Sequence, residues 1–525
     1  MSPDTGAPHA VFPCRLAAVD VGSNAIRYTA AEFVDATHWV DLEVQRLPVR
    51  LGHEVFLTGR LDERAMAAAV EGMATFRRSM DNLGIARYRA VATSAVRDAR
   101  NGPALVDRIR RETGIRLETI TGTEEARLIW SALRSRVDLG DALWVSADLG
   151  GGSLEVSLLS QEGIQWTESH TMGTVRILED LGEGRPDSRR FRRLVSEYAR
   201  TLRFPARVEP ERIAGLLATG GNMEALADLA GAPQDARGVS RLPVAHLRKV
   251  TRRLARLSVE ERVRELGLRE DRADVIFPAA LIYAHLARLT GVDEIVVPRV
   301  GVKEGVLVDL VEDVSGPAVH ASRLEQQAFN GALALGRRFQ FDELHARHVT
   351  RLALMLYDQL RPLHELVEGD RRILVAAAVL HDVGLFVSYR KHHKHSLYLI
   401  HNSEIPGLSR EDRVLAALVA RYHRRAEPKD EHFLFLDLDS GDRHRVRKLA
   451  ALLRVADALD REHQQKVSGV AARVEGRRLV LELDGRGELL LELWALRKKG
   501  RMFRSVFGLE PAPVRPPRGD GLAVI

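Results

Sequence analysis

The chain has 525 residues, more than one domain usually holds, and its 45% hydrophobic and 29% charged residues are those of a globular protein with buried cores. A net charge of +6 and an isoelectric point near 9.5 favour an acidic partner (nucleic acid, nucleotide, polyphosphate or an anionic membrane surface), while 5% aromatics argues against a base-stacking nucleic-acid platform. Cys14 is the only cysteine, so no intrachain disulfide forms; residues 1–13 lack a signal-peptide pattern and no apolar run is expected to reach the roughly 18 residues of a membrane span. A soluble cytoplasmic protein without a membrane partner is the expectation.

Taken in chain order, residues 16–19 read as a buried strand, 61–83 as an amphipathic helix and 88–92 as a second strand. Helices are expected at 104–113, closed by Gly114, and at 124–133. The pattern then restarts, with strands at 143–147 and 154–159 around a glycine turn, which predicts two α/β lobes in series. Both lobes carry an apolar strand, an aspartate and a glycine turn: Asp20, Val21, Gly22, Ser23, Asn24 in one and Asp148, Leu149, Gly150, Gly151, Gly152, Ser153 in the other. From about 323 to 461 the chain reads as helical. Strand signals return at 479–483 and 489–494, split by a turn at Asp484, and the tail from 511 to 521 reads as frayed.

Tight glycine turns bind phosphate through backbone N–H groups, and a neighbouring carboxylate holds Mg²⁺ or its water rather than phosphate itself. Two such turns in successive lobes predict a cleft with donors on both sides. Ala92, Thr93, Ser94 and Ala95 lead from a strand to Arg97, placed where a helix begins, and guanidinium suits phosphate oxygens. Glu124 and Glu125 open the helix after Thr121, Gly122 and Thr123. A carboxylate there either orients a hydrolytic water or simply complements the helix N-terminus.

Together these stretches resemble the exopolyphosphatase / guanosine pentaphosphate phosphohydrolase (Ppx/GppA) family. The ordered matches continue through Glu155, Met172, Gly173, Arg176, the Gly220 and Gly221 turn, and Val300, Gly301, Glu304 and Gly305, over about 310 residues. The resemblance implies an actin-like ATPase (ASKHA, ribonuclease H-like) α/β fold, with lobe I at 1–135 and lobe II at 136–316. It implies Glu125 as the catalytic base, with Arg97 neutralising charge, and Asp148 and Glu155 holding Mg²⁺. Gly150, Gly151, Gly152 and Ser153 would cradle the terminal phosphate, and Asp20, Gly22, Ser23 and Asn24 would close on it. Leu154 stands where the family usually has threonine, and Asn222 where the third glycine turn often has threonine.

The helical region adds a second series: His345, the adjacent His381 and Asp382, His395, His423 and Asp457. It resembles the HD phosphohydrolase-type domain carried by longer members of the same family. An all-α HD-type domain at 317–467 and a small α+β domain at 468–525 follow. The domain either binds a metal and hydrolyses a substrate, or serves as a scaffold for the substrate channel and a homodimer, the role the family favours. Basic clusters at 185–193, 248–253, 391–395, 424–425 and 497–501 read as solvated faces, or as parts of a polyanion track.

Release of orthophosphate from polyphosphate is therefore the expected activity, with guanosine pentaphosphate (pppGpp) as the alternative substrate and no DNA specificity. A non-catalytic phosphate-binding regulator shares the fold but leaves Glu125, Asp148 and Glu155 without a role, and a sugar kinase or chaperone-type ATPase shares it too, but the stretch from Thr121 to Arg127 fits the phosphatase family better.

Overall fold

The computed structural model describes residues 12–182, 189–202, 213–424 and 426–514. The expectations for the N-terminus through 11, for the start of the 185–193 basic cluster, for Arg425 and for the tail from 515 lie outside the described residues. The chain divides into two compact units, Met1–His320 and Ala321–Ile525.

The first unit contains two α/β lobes of the actin-like fold. Lobe I has strands β1 (Cys14–Val21), β2 (Ile26–Phe33), β3 (Trp39–Leu47), β4 (Arg87–Ala92) and β5 (Leu117–Thr119), in the order β3-β2-β1-β4-β5. Lobe II has β6 (Leu143–Leu149), β7 (Leu154–Ser160), β8 (Gly163–His170), β9 (Ile213–Thr219), β10 (Ser240–Pro243) and β11 (Glu294–Val297), in the order β10-β11-β9-β6-β7-β8. In each lobe the first strand has an antiparallel hairpin partner on one side (β2, β7) and a parallel strand on the other (β4, β9). The weak sequence repeat is therefore a repeat of architecture.

β1 is buried along almost its whole length because helices cover both faces of its sheet. Ala17, Val19 and Val21 point into one core, beneath the helices Glu63–Asn82 and Gly102–Thr113. Leu16 and Ala18 point into another, shared with the helices Gly122–Arg136 and Val302–Ser315. That second core also takes Leu159, Leu217 and Val296 from the sheet of lobe II, so this helix pair is the wall between the lobes. The chain thus leaves lobe II and returns to pack against β1 through its last helix. Close approach of the pair depends on Gly305, where an added Cβ would sit 2.0 Å from the Leu128 carbonyl oxygen.

Two details differ from expectation in this unit. Arg97 lies in the last turn of the short helix Ser94–Asp98, not at a helix start. Against the expected absence of such a run, the 21-residue stretch Glu270–Thr290 is long and apolar enough by length and composition to cross a membrane. Here it is a core element of lobe II, with Ile276, Phe277, Ile282 and Tyr283 buried.

In the second unit the helices Glu343–Gln359, Glu368–Leu380, His392–His401, Arg410–Arg421 and Ser440–Ala458 surround a core of Leu, Ala and Val with Tyr357, Tyr422 and Phe435. The strands β12 (Val467–Glu475), β13 (Arg478–Gly485) and β14 (Glu510–Val514) add Val467, Leu479 and Leu481 to that same core. The expected strand at 489–494 is instead the start of the helix Leu490–Lys499. β13 and β14 are parallel, and a parallel pair needs a crossover of a dozen or more residues. The helices Leu490–Lys499 and Arg501–Phe507 supply it. Residues 511–514, expected to fray, pair in β14.

Gly305→Ala should destabilise the first unit by about 2 kcal/mol, because the Leu128 backbone cannot yield as a flexible side chain would. Gly369→Ala, with nothing within 4 Å of the new methyl, should be neutral or slightly stabilising. Urea midpoints of the two variants check this; equal midpoints would remove the helix crossing as a packing constraint.

Candidate functional site

The two glycine turns join β1 to β2 and β6 to β7, and the register sets the chemistry around them. Asp20 lies opposite Arg27 across β1 and β2, and the two form an ion pair at 3.2 Å. In lobe II the same position pairs Asp148 with Glu155. Lobe I thus neutralises its carboxylate, whereas lobe II doubles the negative charge.

Glu125 adds a third carboxylate from the first turn of Gly122–Arg136. One oxygen each of Glu125, Asp148 and Glu155 lies within 4.8 Å of the others, and all three residues are buried. Asp148 Oδ1 accepts from Thr219 Oγ1 at 2.6 Å and Glu155 Oε1 from Ser169 Oγ at 2.8 Å. Glu125 Oε2 and Glu155 Oε2 are buried without a hydrogen-bond partner among the described residues. Burial and mutual repulsion both resist the charged state. Burial, then Asp20, raises Asp148 to about 6, and burial, then Asp148, raises Glu155 to about 7. Burial, then Glu155, lifts Glu125 well above the usual range. Unsatisfied oxygen ligands converging at this distance suit a hard divalent cation.

Glu124, the neighbour of Glu125, belongs elsewhere. Arg127 and Arg89 donate to it, and both also bind Asp309. Burial alone would raise its pKa, but Arg127 and then Arg89 overcome that and hold it low. Glu124 is a structural anion and Glu125 faces the carboxylate cluster.

The cavity beside the cluster has a volume of about 410 Å³ and is lined from both lobes. Asp20, Gly22, Ser23, Asn24, Gly150, Gly151 and Ser153 all reach it, with Glu125 and Asp148. Gly152 does not line it: Gly152 sits against Gly173, where an added Cβ would lie 2.2 Å from Gly152 carbon. Main-chain N–H groups of Thr174, Val175 and Arg176 donate to the Gly150 and Gly151 carbonyls, and Arg176 Nε donates to that of Gly152, fixing the turn. Ser23 and Ser94 hydroxyls meet at 2.9 Å. Asn24 also ties the lobes together, its Nδ2 donating to the Asp271 carbonyl at 3.0 Å. Arg97 stays off the cavity wall; its Nη1 donates to the Ile120 carbonyl and stands 3.6 Å from Glu125 Oε2. Leu154 is buried in the lobe II core, so the missing threonine hydroxyl leaves the wall of the cavity unchanged.

The sequence reading missed the cations of the rim. Arg27, Arg46, Arg269, Arg272, Arg299 and Lys303 line the cavity, and none lies in a basic cluster. Burial, then Arg269, lowers Arg272 to about 10, the mark of a guanidinium short of anions. Among the cavity-lining residues none is aromatic.

In the second unit His345, His381 and Asp457 form one group with ligand atoms within 4.8 Å, and Asp382, His392 and His423 another. His395 is in neither group; His392, one turn earlier, faces inward in its place. His463, also unanticipated, stacks on His345 with ring centroids 3.6 Å apart.

Residues 34–314 match the model of the Ppx/GppA phosphatase family, and residues 330–492 match Ppx/GppA phosphatase, domain III. A guanosine-5'-triphosphate,3'-diphosphate pyrophosphatase from Vibrio vulnificus (strain YJ016) is 24% identical over 476 residues, covering 89% of this chain and 91% of the relative. Exopolyphosphatase 1 of Mycobacterium leprae (strain TN) is 27% identical over 300 residues, covering 56% of this chain and 88% of the relative. The crystal structure of an exopolyphosphatase from Cytophaga hutchinsonii superposes with a TM-score of 0.53 at 25% identity, over 57% of this chain and 98% of that one.

Carboxyls with a raised folded pKa keep protons that the unfolded chain has lost. Without metal, stability therefore falls as pH rises from the ordinary carboxylate range to about 6 for Asp148 and about 7 for Glu155. A bound divalent cation replaces those protons. Mg²⁺ should raise the melting temperature more at about pH 8 than at about pH 5. A thermal shift equal at both would mean that these carboxylates do not take up the ion.

Proposed function

Because the chain belongs to the Ppx/GppA phosphatase family, we propose that its inter-lobe cavity removes terminal phosphates from inorganic polyphosphate, releasing orthophosphate with Mg²⁺. The observation that supports this most is the buried trio Glu125, Asp148 and Glu155 beside a cavity walled by both glycine turns and rimmed with arginines. The lack of an aromatic side chain among the cavity-lining residues favours a ligand that is phosphate throughout over one that needs a base stacked there. The second reading is hydrolysis of pppGpp in the same cavity, supported by the relative of that type that matches nearly the whole chain.

In this reading the terminal phosphate lies between Ser23 with Ser94 on one side and the Gly150, Gly151 and Ser153 turn on the other. Arg272 and its neighbours at the rim hold the rest of the chain by charge. Asp148 and Glu155 would hold Mg²⁺, which neutralises phosphoryl oxygens as charge builds on them. Glu125 orients water and takes its proton as the water oxygen bonds to phosphorus and the bridging P–O bond breaks. Its high proton affinity, a product of burial and of Glu155, suits a base; neutralising Asp148 and Glu155 brings it back toward the charged form. Arg97, 3.6 Å from its Oε2, positions it.

Glu125→Ala should lower orthophosphate release from long-chain polyphosphate by at least ~10²-fold while substrate still binds. Glu124→Gln should lower the melting temperature and leave release by the folded enzyme close to wild type. Assays of both variants with polyphosphate and with pppGpp decide the matter. An unaltered rate in Glu125→Ala removes it as the base, release from the nucleotide alone selects the second reading, and no release from any phosphoanhydride returns the chain to the class of phosphate-binding regulators.

A further inference from the structure

Aromatics make up only 5% of the chain, but the exposed ones are concentrated. Among the described residues the exposed aromatic side chains are Phe386, Tyr389, Tyr398, Phe433 and Trp494, all in the second unit and none in the first. Three of the five fall between Phe386 and Tyr398. Tyr389 is 71% exposed, Tyr398 67% and Phe386 54%, so these rings give little of their surface to the core. A low aromatic content counts against a stacking platform only where the aromatics are spread evenly, and here they are not.

The same stretch is purely cationic. No Asp or Glu lies between Asp382 and Glu404, whereas Arg390, Lys391 and Lys394 are there and exposed. Lys391, Lys394 and Tyr398 follow at spacings of three and four, so they run along one face of the helix His392–His401 for about 10 Å. Arg424 joins them: with Tyr389 it lines the wall of one small cavity. Arg421 ends the helix that packs against His392–His401. None of these five cations forms an ion pair among the described residues. The carboxylates of the loop after Arg424, Asp430 and Glu431, pair with Arg443 and Lys429 instead.

Unpaired cations alternating with open aromatic faces fit a ligand that carries charges and planar rings at short intervals. Polyphosphate has the charge and no rings. A bilayer takes up aliphatic side chains first, but Leu385 and Val387 are less exposed here than either tyrosine. A second copy, packed face to face, would set Lys391 and Lys394 against like charges. A duplex keeps its bases stacked on one another, whereas a single strand offers them, and single strands persist in cells chiefly as RNA. We propose that this face of the helical unit binds single-stranded RNA without sequence preference, its bases stacked on Phe386, Tyr389 and Tyr398 and its phosphates held by Arg390, Lys391, Lys394 and Arg424.

The test uses the full chain and the fluorescence anisotropy of a labelled oligouridylate of about 20 nucleotides. Wild type should bind it, with the logarithm of the affinity falling linearly as the logarithm of salt rises. Tyr389→Ala and Tyr398→Ala should each weaken binding at least ~10-fold, and Tyr389→Phe should not. Lys391→Ala and Lys394→Ala should each make the salt slope shallower by about 0.7. Circular dichroism of the variants should match that of wild type, since all of these side chains stand in solvent. Absence of binding at about 50 mM salt, or equal affinity for an RNA duplex of the same length, overturns the proposal. Affinity that falls in the lysine variants but holds in both tyrosine-to-alanine variants overturns the stacking and leaves a plain polyanion surface. Tighter binding of oligothymidylate than of oligouridylate overturns the assignment to RNA. Sedimentation with phosphatidylglycerol vesicles, or self-association lost in Tyr398→Ala, with RNA left unbound, overturns it in favour of a membrane or a second copy.

Discussion

Asp148 and Glu155 face each other across two antiparallel strands, and the nearby Arg27 and Arg97 offset their charge only in part. At the matching position of lobe I an arginine stands opposite the aspartate, so the repeated architecture yields one neutral pair and one anionic pair. Glu125 then brings a third carboxylate to the anionic side. Like charges about 4 Å apart repel by roughly 4 kcal/mol at an intermediate dielectric, so three buried carboxylates persist only by sharing protons or a cation. Burial, reinforced by that repulsion, raises the proton affinity of all three, and Glu125 and Glu155 each keep a buried oxygen without a hydrogen-bond partner among the described residues.

The fold delivers this cluster with little freedom. The helix that carries Glu125 is pressed against the returning helix at Gly305, and its other glutamate is locked by Arg89, Arg127 and Asp309. The lobe II turn is held down by main-chain bonds from Thr174, Val175 and Arg176 over a contact that only Gly173 permits. Asn24 and Arg50 link the opposite turn to Asp271 and Asp274. Phosphate recognition and the placement of the base thus rest on the same packing contacts.

The motifs around Asp20, Glu125 and Asp148 were legible in the sequence because each must combine a buried strand or helix start with a turn of special backbone. The choice between Glu124 and Glu125 was not legible from the residues, since their roles depend on Arg89 and Asp309, distant in sequence. The arginine rim was hidden for a related reason: Arg46 comes from β3, Arg269 and Arg272 from the short helix Glu270–Ala273 and its N-cap, and Arg299 from the segment after β11, whereas the basic clusters in the sequence lie elsewhere. In the helical unit His392, the first residue of its helix, faces inward where His395 was expected, a choice that depends on where the helix starts and how it packs. The segment at 489–494 is an apolar run without a decisive period, and in the structure it starts one of the two helices of the crossover between the parallel strands β13 and β14.

Calorimetric titration of Mg²⁺ near pH 7, repeated in buffers of different ionisation enthalpy for wild type and Glu155→Gln, tests the central constraint most directly. Wild type should release about one more proton on binding than the variant, since the ion displaces protons shared by Glu125, Asp148 and Glu155, and the variant should bind more weakly. Equal proton release and equal affinity in the two proteins would contradict the account.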